Sequence, residues 1–100
     1  MPKKTAAITF AASAAGDLDE IRDWYAAQQA PRAGEKLIED ILSAAERLAD
    51  FPESGRIVPE FGTVNLREVI HPPFRIVYRL EQNRVRIVRV WRSERLLKMA

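Results

Sequence analysis

Phe74-Arg75-Ile76-Val77-Tyr78-Arg79-Leu80-Glu81-Gln82-Asn83-Arg84-Val85-Arg86-Ile87-Val88-Arg89-Val90-Trp91 is the stretch that decides the fold. Phe74, Ile76, Tyr78 and Leu80 alternate with Arg75, Val77 and Arg79, the period of a strand with one apolar face. Glu81-Gln82-Asn83 reads as a turn, and Arg84 to Trp91 returns as the last strand, giving an antiparallel hairpin. The alternation slips at Ile87-Val88, so this last strand is central, bulged or buried on both faces.

Working outward, Val64 to Ile70 is a further strand, ended by His71-Pro72-Pro73. Phe51-Pro52-Glu53-Ser54-Gly55-Arg56 is turn chemistry, with Arg56 placed to reach back towards acids of the preceding helices. Those helices are amphipathic. Ser13 is the expected N-cap of the first, and Ala14, Leu18, Ile21 and Tyr25 draw its apolar stripe, bordered by Trp24. It should end near Gln29, because Pro31 restricts Ala30 and suits the first position of a second helix. Ala33, Leu37, Ile41, Ala45 and Leu48 line that second helix, widened by Ile38, Leu42 and Ala49. Ala6, Ile8 and Phe10 alternate with polar or small neighbours as a short first strand. The order is β-α-α-β-β-β, a helical hairpin on one face of a small, mainly antiparallel sheet. That is an α+β architecture in one domain spanning residues 1–100.

Composition limits the chemistry. There is no cysteine and one histidine, which removes disulfides and thiolate chemistry and argues against a metal centre or other cofactor. No apolar stretch approaches membrane-span length, and the Ala-rich start lacks the apolar core of a signal peptide, so a cytoplasmic protein without membrane attachment is expected. The formal charge of +2 hides an asymmetry: residues 1–50 hold 6 basic and 9 acidic residues, residues 51–100 hold 10 and 5. Nine of those last ten bases are arginine. Lysine would serve a merely solvated face equally well, whereas the arginine fork suits carboxylate or phosphate. The sheet face away from the helices should present Arg75 and Arg79, with Arg67 beside them. A metal-free nuclease also needs an acid and a base. The candidates are His71, which lies in a turn, Glu68, which reads better as an ion-pair partner, and Tyr78, which reads better as core. Trp91 either stacks on a base or seals the core.

Ala14-Ala15-Gly16-Asp17-Leu18-Asp19-Glu20-Ile21, Tyr25 and Leu48-Ala49-Asp50-Phe51-Pro52-Glu53-Ser54-Gly55-Arg56 form a series. It continues with Leu66-Arg67-Glu68, Phe74 to Arg79 and Val85 to Arg92. In order and over almost the whole chain, this series resembles the bacterial RelE/ParE toxin superfamily. The resemblance implies a helical hairpin on a small antiparallel sheet and the toxin of a type II toxin–antitoxin pair. It also implies a cognate antitoxin that wraps a helix and an extended segment around the toxin in a hetero-oligomer. RelE-like members cut mRNA on the ribosome; ParE-like members poison DNA gyrase and are not enzymes. The long helices separated at Pro31 and the segment from Gly55 to Arg67 look ParE-like. The catalytic set of the RelE branch is incomplete here: its second-strand bases would fall near Leu66 and Glu68 and its late tyrosine near Met99. Arg75 and the cluster Arg92 to Arg95 do match. A ParE-like gyrase inhibitor is therefore the favoured reading, and a ribosome-dependent endoribonuclease with Arg75 and Arg92 or Arg95 on the phosphate is the alternative. An inactive relative that only binds its antitoxin is a third. The expected contact residues are Arg67, Arg75, Arg79, Arg89, Trp91, Arg92 and Arg95, for the target or for an acidic antitoxin.

Overall fold

The chain, as a computed structural model describing residues 5–93, follows the expected order with one addition. Strand β1 (Ala7–Phe10) leads into helices α1 (Ala12–Ala27) and α2 (Pro31–Glu46) and a 3-10 turn (Arg47–Ala49). Then come β2 (Arg56–Ile57), β3 (Leu66–His71), β4 (Phe74–Glu81) and β5 (Arg84–Arg92). The addition is β2, whose two residues are too few to show a period in sequence. The sheet runs β1-β5-β4-β3-β2, with β1 parallel to β5 and all other pairs antiparallel. The fold is α+β. β5 is therefore an interior strand, flanked by β1 and β4, and the slip at Ile87-Val88 is a bulge: Tyr78 pairs with Ile87 and Val77 with Arg89, leaving Val88 over.

Both helices pack on one face of the sheet. Ala14 and Ile21 of α1 and Ile38, Ile41, Ala44 and Ala45 of α2 meet Phe74, Ile76, Tyr78, Val85, Ile87 and Val90. Ile41, Ala45 and Leu48 are buried as expected, but in the first two turns of α2 the stripe runs one position later, through Gly34 and Ile38. Ala33 is exposed and Gly34 is buried, because the helices approach so closely there that an added Cβ would lie 2.8 Å from Tyr25 Cβ. Ser13 is not the N-cap: α1 starts after Ala11, and Ser13 lies inside it. Where β1 stops at Phe10, α1 takes over the edge of β5. Ser13 Oγ donates to the Val88 carbonyl at 2.7 Å, and Asp17 Oδ2 accepts the Val90 N–H at 2.8 Å. Two side chains one helical turn apart thus satisfy backbone groups that a longer β1 would have paired.

The sheet's second face carries a smaller core. Val58, from the segment between β2 and β3, packs with Leu66, Val77 and Trp91, with Val88 against them. The turn before β2 is pinned from the main core. Tyr78 is fully buried; its hydroxyl donates to the Pro52 carbonyl at 2.7 Å and accepts the Gly55 N–H at 2.9 Å. An added Cβ at Gly55 would lie 2.5 Å from Tyr78 Oη and 2.7 Å from the Glu68 carbonyl, so only glycine fits.

Tyr78→Phe should cost about 1–3 kcal/mol in urea unfolding, because the Gly55 N–H and Pro52 carbonyl lose a shared buried partner. Burial holds the Tyr78 hydroxyl above its ordinary value, so the native state keeps this proton where the unfolded chain releases it. Stability should then fall as pH rises from about 10. The fall should be shallower in Tyr78→Phe, as read from unfolding midpoints of the two proteins across that range.

Candidate functional site

Strand register sorts the arginines between the two faces. Arg75, Val77 and Arg79 lie on the second face of β4, opposite Trp91, Arg89 and Arg86 of β5. On β3, Leu66, Glu68 and Ile70 are level with Arg79, Val77 and Arg75, so they share that face. Arg67 pairs with Tyr78 and points the other way, contrary to the expectation that it sits beside Arg75 and Arg79. A one-residue difference in the phase of β3 exchanges Arg67 for Glu68. That exchange puts a carboxylate in the middle of the basic face.

Glu68 is fully enclosed and serves two arginines. Arg75 Nε donates to its Oε1 at 2.6 Å, and Arg56 Nε to its Oε2 at 2.6 Å. Arg56 therefore does not reach back to the helices. Arg75 Nη1 and Nη2 grip Glu60 through both carboxylate oxygens, at 2.8 and 2.9 Å. Arg75, only 5% exposed, is a buried structural ion and not a surface contact. Hydrogen bonds to Glu60 first, and then to Glu68, hold its guanidinium well above the ordinary arginine value against the opposing effect of burial.

Arg89 is also committed. Its Nε and Nη2 clasp Asp17 at 2.8 and 2.9 Å, and its guanidinium lies 4.1 Å from the centre of the Trp91 ring. Arg67 turns inward to backbone: Nε donates to the Val64 carbonyl, and Nη1 to those of Glu53 and Gly55. Trp91, 7% exposed, seals the second core. Arg92 is exposed on the helical face, 5.8 Å from the Phe74 ring centre. Arg79 is exposed and carries no ion pair among the described residues. Arg95 and Met99 lie outside the described residues.

The acid and base candidates are scattered. Tyr78 is committed to the Pro52–Gly55 turn, Glu68 is enclosed by two guanidinium groups, and His71 Nε2 lies 3.9 Å from Asp40 Oδ2 on the helical face. Arg75 and Arg92 face opposite sides of the sheet, since Arg92 pairs with Phe74. Sequence reasoning missed two features. One is a groove of about 230 Å³ between α1 and the end of the β4–β5 hairpin, lined by Ile21, Trp24, Tyr25, Phe74, Trp91 and Arg92 among others. Trp24, 53% exposed and edge-on to Tyr25, is its most open apolar group; its place beside the α1 stripe was the signal. The other is Arg86, directly opposite Arg79.

No helix among the described residues is long and apolar enough to cross a membrane. Over residues 8–97 the sequence matches the ParE toxin of the type II toxin–antitoxin system parDE. It is 39% identical over 84 residues to the protein named Toxin RelE2 of Caulobacter vibrioides, covering 83% of this chain and 90% of that one. Among solved structures it resembles a chain of the chromosomal ParDE system from P. aeruginosa. The TM-score is 0.77 at 25% identity, covering 91% of this chain and 99% of the other.

The ion-pair geometry ranks two substitutions. Glu68→Gln should destabilise the protein by about 3–5 kcal/mol, since it strips a buried guanidinium of its enclosed counter-charge. Glu60→Gln, at the partly exposed end of the same arginine, should cost about 1–3 kcal/mol. Chemical denaturation of both variants checks the order.

Proposed function

The chain belongs to the ParE toxin family of type II toxin–antitoxin systems, and from that premise we propose that it inhibits DNA gyrase without cutting nucleic acid and is silenced by a cognate antitoxin. The observation that carries this reading is the disposition of the groups a ribonuclease would use. Metal-free cleavage needs a base near the attacking hydroxyl, an acid near the leaving oxygen, and cations on the phosphate between them. Here Arg75 is chelated by two carboxylates and faces away from Arg92, while Glu68, Tyr78 and His71 each serve another partner. Such a set suits a protein that acts by docking. The match to the parDE toxin and the likeness to a ParDE structure support the same branch. A gyrase target is consistent with a cytoplasmic protein.

The α1 groove is where an antitoxin helix fits. It offers the rings of Trp24 and Tyr25 to apolar side chains above the buried Phe74, with Glu20 and Arg92 as polar ends. Helix-in-groove docking relies on a few such anchors, and tryptophan, tyrosine and arginine are enriched among interface hot spots.

Two experiments test this. Induction in cells without antitoxin should give filaments with DNA damage, and the purified toxin should block supercoiling by gyrase in vitro. Rapid translation arrest with cut mRNAs, and supercoiling untouched, would overturn the proposal. Separately, Trp24→Ala should weaken antitoxin binding about 30-fold or more, as for a hot-spot residue, with little change in stability because Trp24 is half exposed.

A further inference from the structure

Arg79 and Arg86 are directly opposite each other on the second face, where β4 pairs with β5. Like charges so placed repel and destabilise the strand pair. The other arginines of this face have answers: Arg56 and Arg75 in Glu68, Arg75 again in Glu60, Arg89 in Asp17, and Arg84 loosely in Glu81 at 3.8 Å. Among the described residues, neither Arg79 nor Arg86 has a carboxylate partner. The same row continues on to β1, where Thr9 is level with Arg86. Thr9 Oγ1 is closed off from solvent there, which leaves the two guanidinium groups as the reachable donors of the row. On the other side of Arg79 an open hollow of about 410 Å³ is lined by Phe61, Thr63, Asn65 and Leu66. Phe61 is 40% exposed.

We propose that the opposed pair Arg86–Arg79 is an oxyanion site for the phosphate of a nucleotide, with the hollow beside Phe61 taking the base. Opposed Cβ atoms on neighbouring strands stand about 5 Å apart, so both guanidinium groups can converge on one tetrahedral anion. The anion removes the repulsion built into the row. The hollow lies within the range of small-molecule sites, about 300–1,000 Å³. Phe61 supplies a ring face for stacking, and the side chains of Thr63 and Asn65 offer hydrogen bonds to a base edge. An acidic peptide would use the arginines but not the aromatic hollow, which favours the nucleotide. The site is on the sheet face away from the α1 groove, and the inference does not rest on gyrase being the target.

Titration of the full-length protein with AMP, followed by NMR of arginine Nε–Hε and Phe61 ring signals, tests the site. Binding should be detected below about 1 mM. Arg79→Gln and Arg86→Gln should each weaken it about tenfold, whereas Arg84→Gln, in the next row and beside Glu81, should change it less than about twofold. Phe61→Ala should weaken AMP while sparing inorganic phosphate. The thermal midpoints of the Arg79 and Arg86 variants should hold or rise, because each removes a like-charge contact. Three results would overturn the proposal: no AMP-dependent shifts at these residues, an Arg84→Gln loss equal to that of Arg79→Gln, or tighter binding of a polyglutamate peptide than of AMP at the same arginines.

Discussion

A guanidinium that enters the interior must be met by a carboxylate, and that constraint ties the molecule together. Removing an ion from water costs several kcal/mol even after relaxation, so an uncompensated arginine at Arg75, or an uncompensated carboxylate at Asp17, would not stay there. Three carboxylates answer it, each from a different part of the chain. Asp17 brings α1 to the edge of β5, Glu68 sits at the centre of β3, and Glu60 brings the segment between β2 and β3 down on to the sheet. Asp17 has a second task, because it also accepts the Val90 N–H that β1 is too short to pair. The helical hairpin and the sheet are thus joined by a polar edge as well as by an apolar face.

Much of this architecture is legible in the residues. Period fixes α1 and α2, Pro31 marks their boundary, and strict alternation in Phe74–Leu80 followed by a slip at Ile87-Val88 announces a hairpin with a bulge. What sequence does not carry is the phase of β3. Arg67 and Glu68 are neighbours, and nothing local says which one faces the arginines of β4; the pinning of the Gly55 turn by Tyr78 and the two-residue pairing of β2 decide it. The pair Asp17–Arg89 spans 72 residues and leaves no local pattern. The opposition of Arg79 and Arg86 was within reach. A hairpin closed by Gln82-Asn83 pairs Glu81 with Arg84, and counting back from that pair places the two arginines face to face. Taking the turn as three residues long hid it.

The candidate site shrinks under this accounting. Of the expected contact residues, Arg75, Arg89 and Arg67 are spent on Glu60 and Glu68, on Asp17 and on backbone carbonyls, and Trp91 on the second core. A basic sequence is therefore a poor guide to a basic surface: charge that the fold consumes cannot steer a partner. The arginines on that face that keep their charge available, Arg79 and Arg86, are those whose register places them away from Glu60, Glu68 and Asp17.

The surviving features are also far apart. Arg86 lies near the start of β5 on one face, and Arg92, at the rim of the aromatic groove, lies near its end on the other. Six residues of strand separate them by about 20 Å. A compact partner helix seated on Trp24 and Phe74 cannot also neutralise the Arg79–Arg86 row, because the sheet stands between them. A partner that covers both must continue as an extended segment around an edge of the sheet. A toxin bound by such a helix alone would still present its cationic row, open to the anion proposed for it.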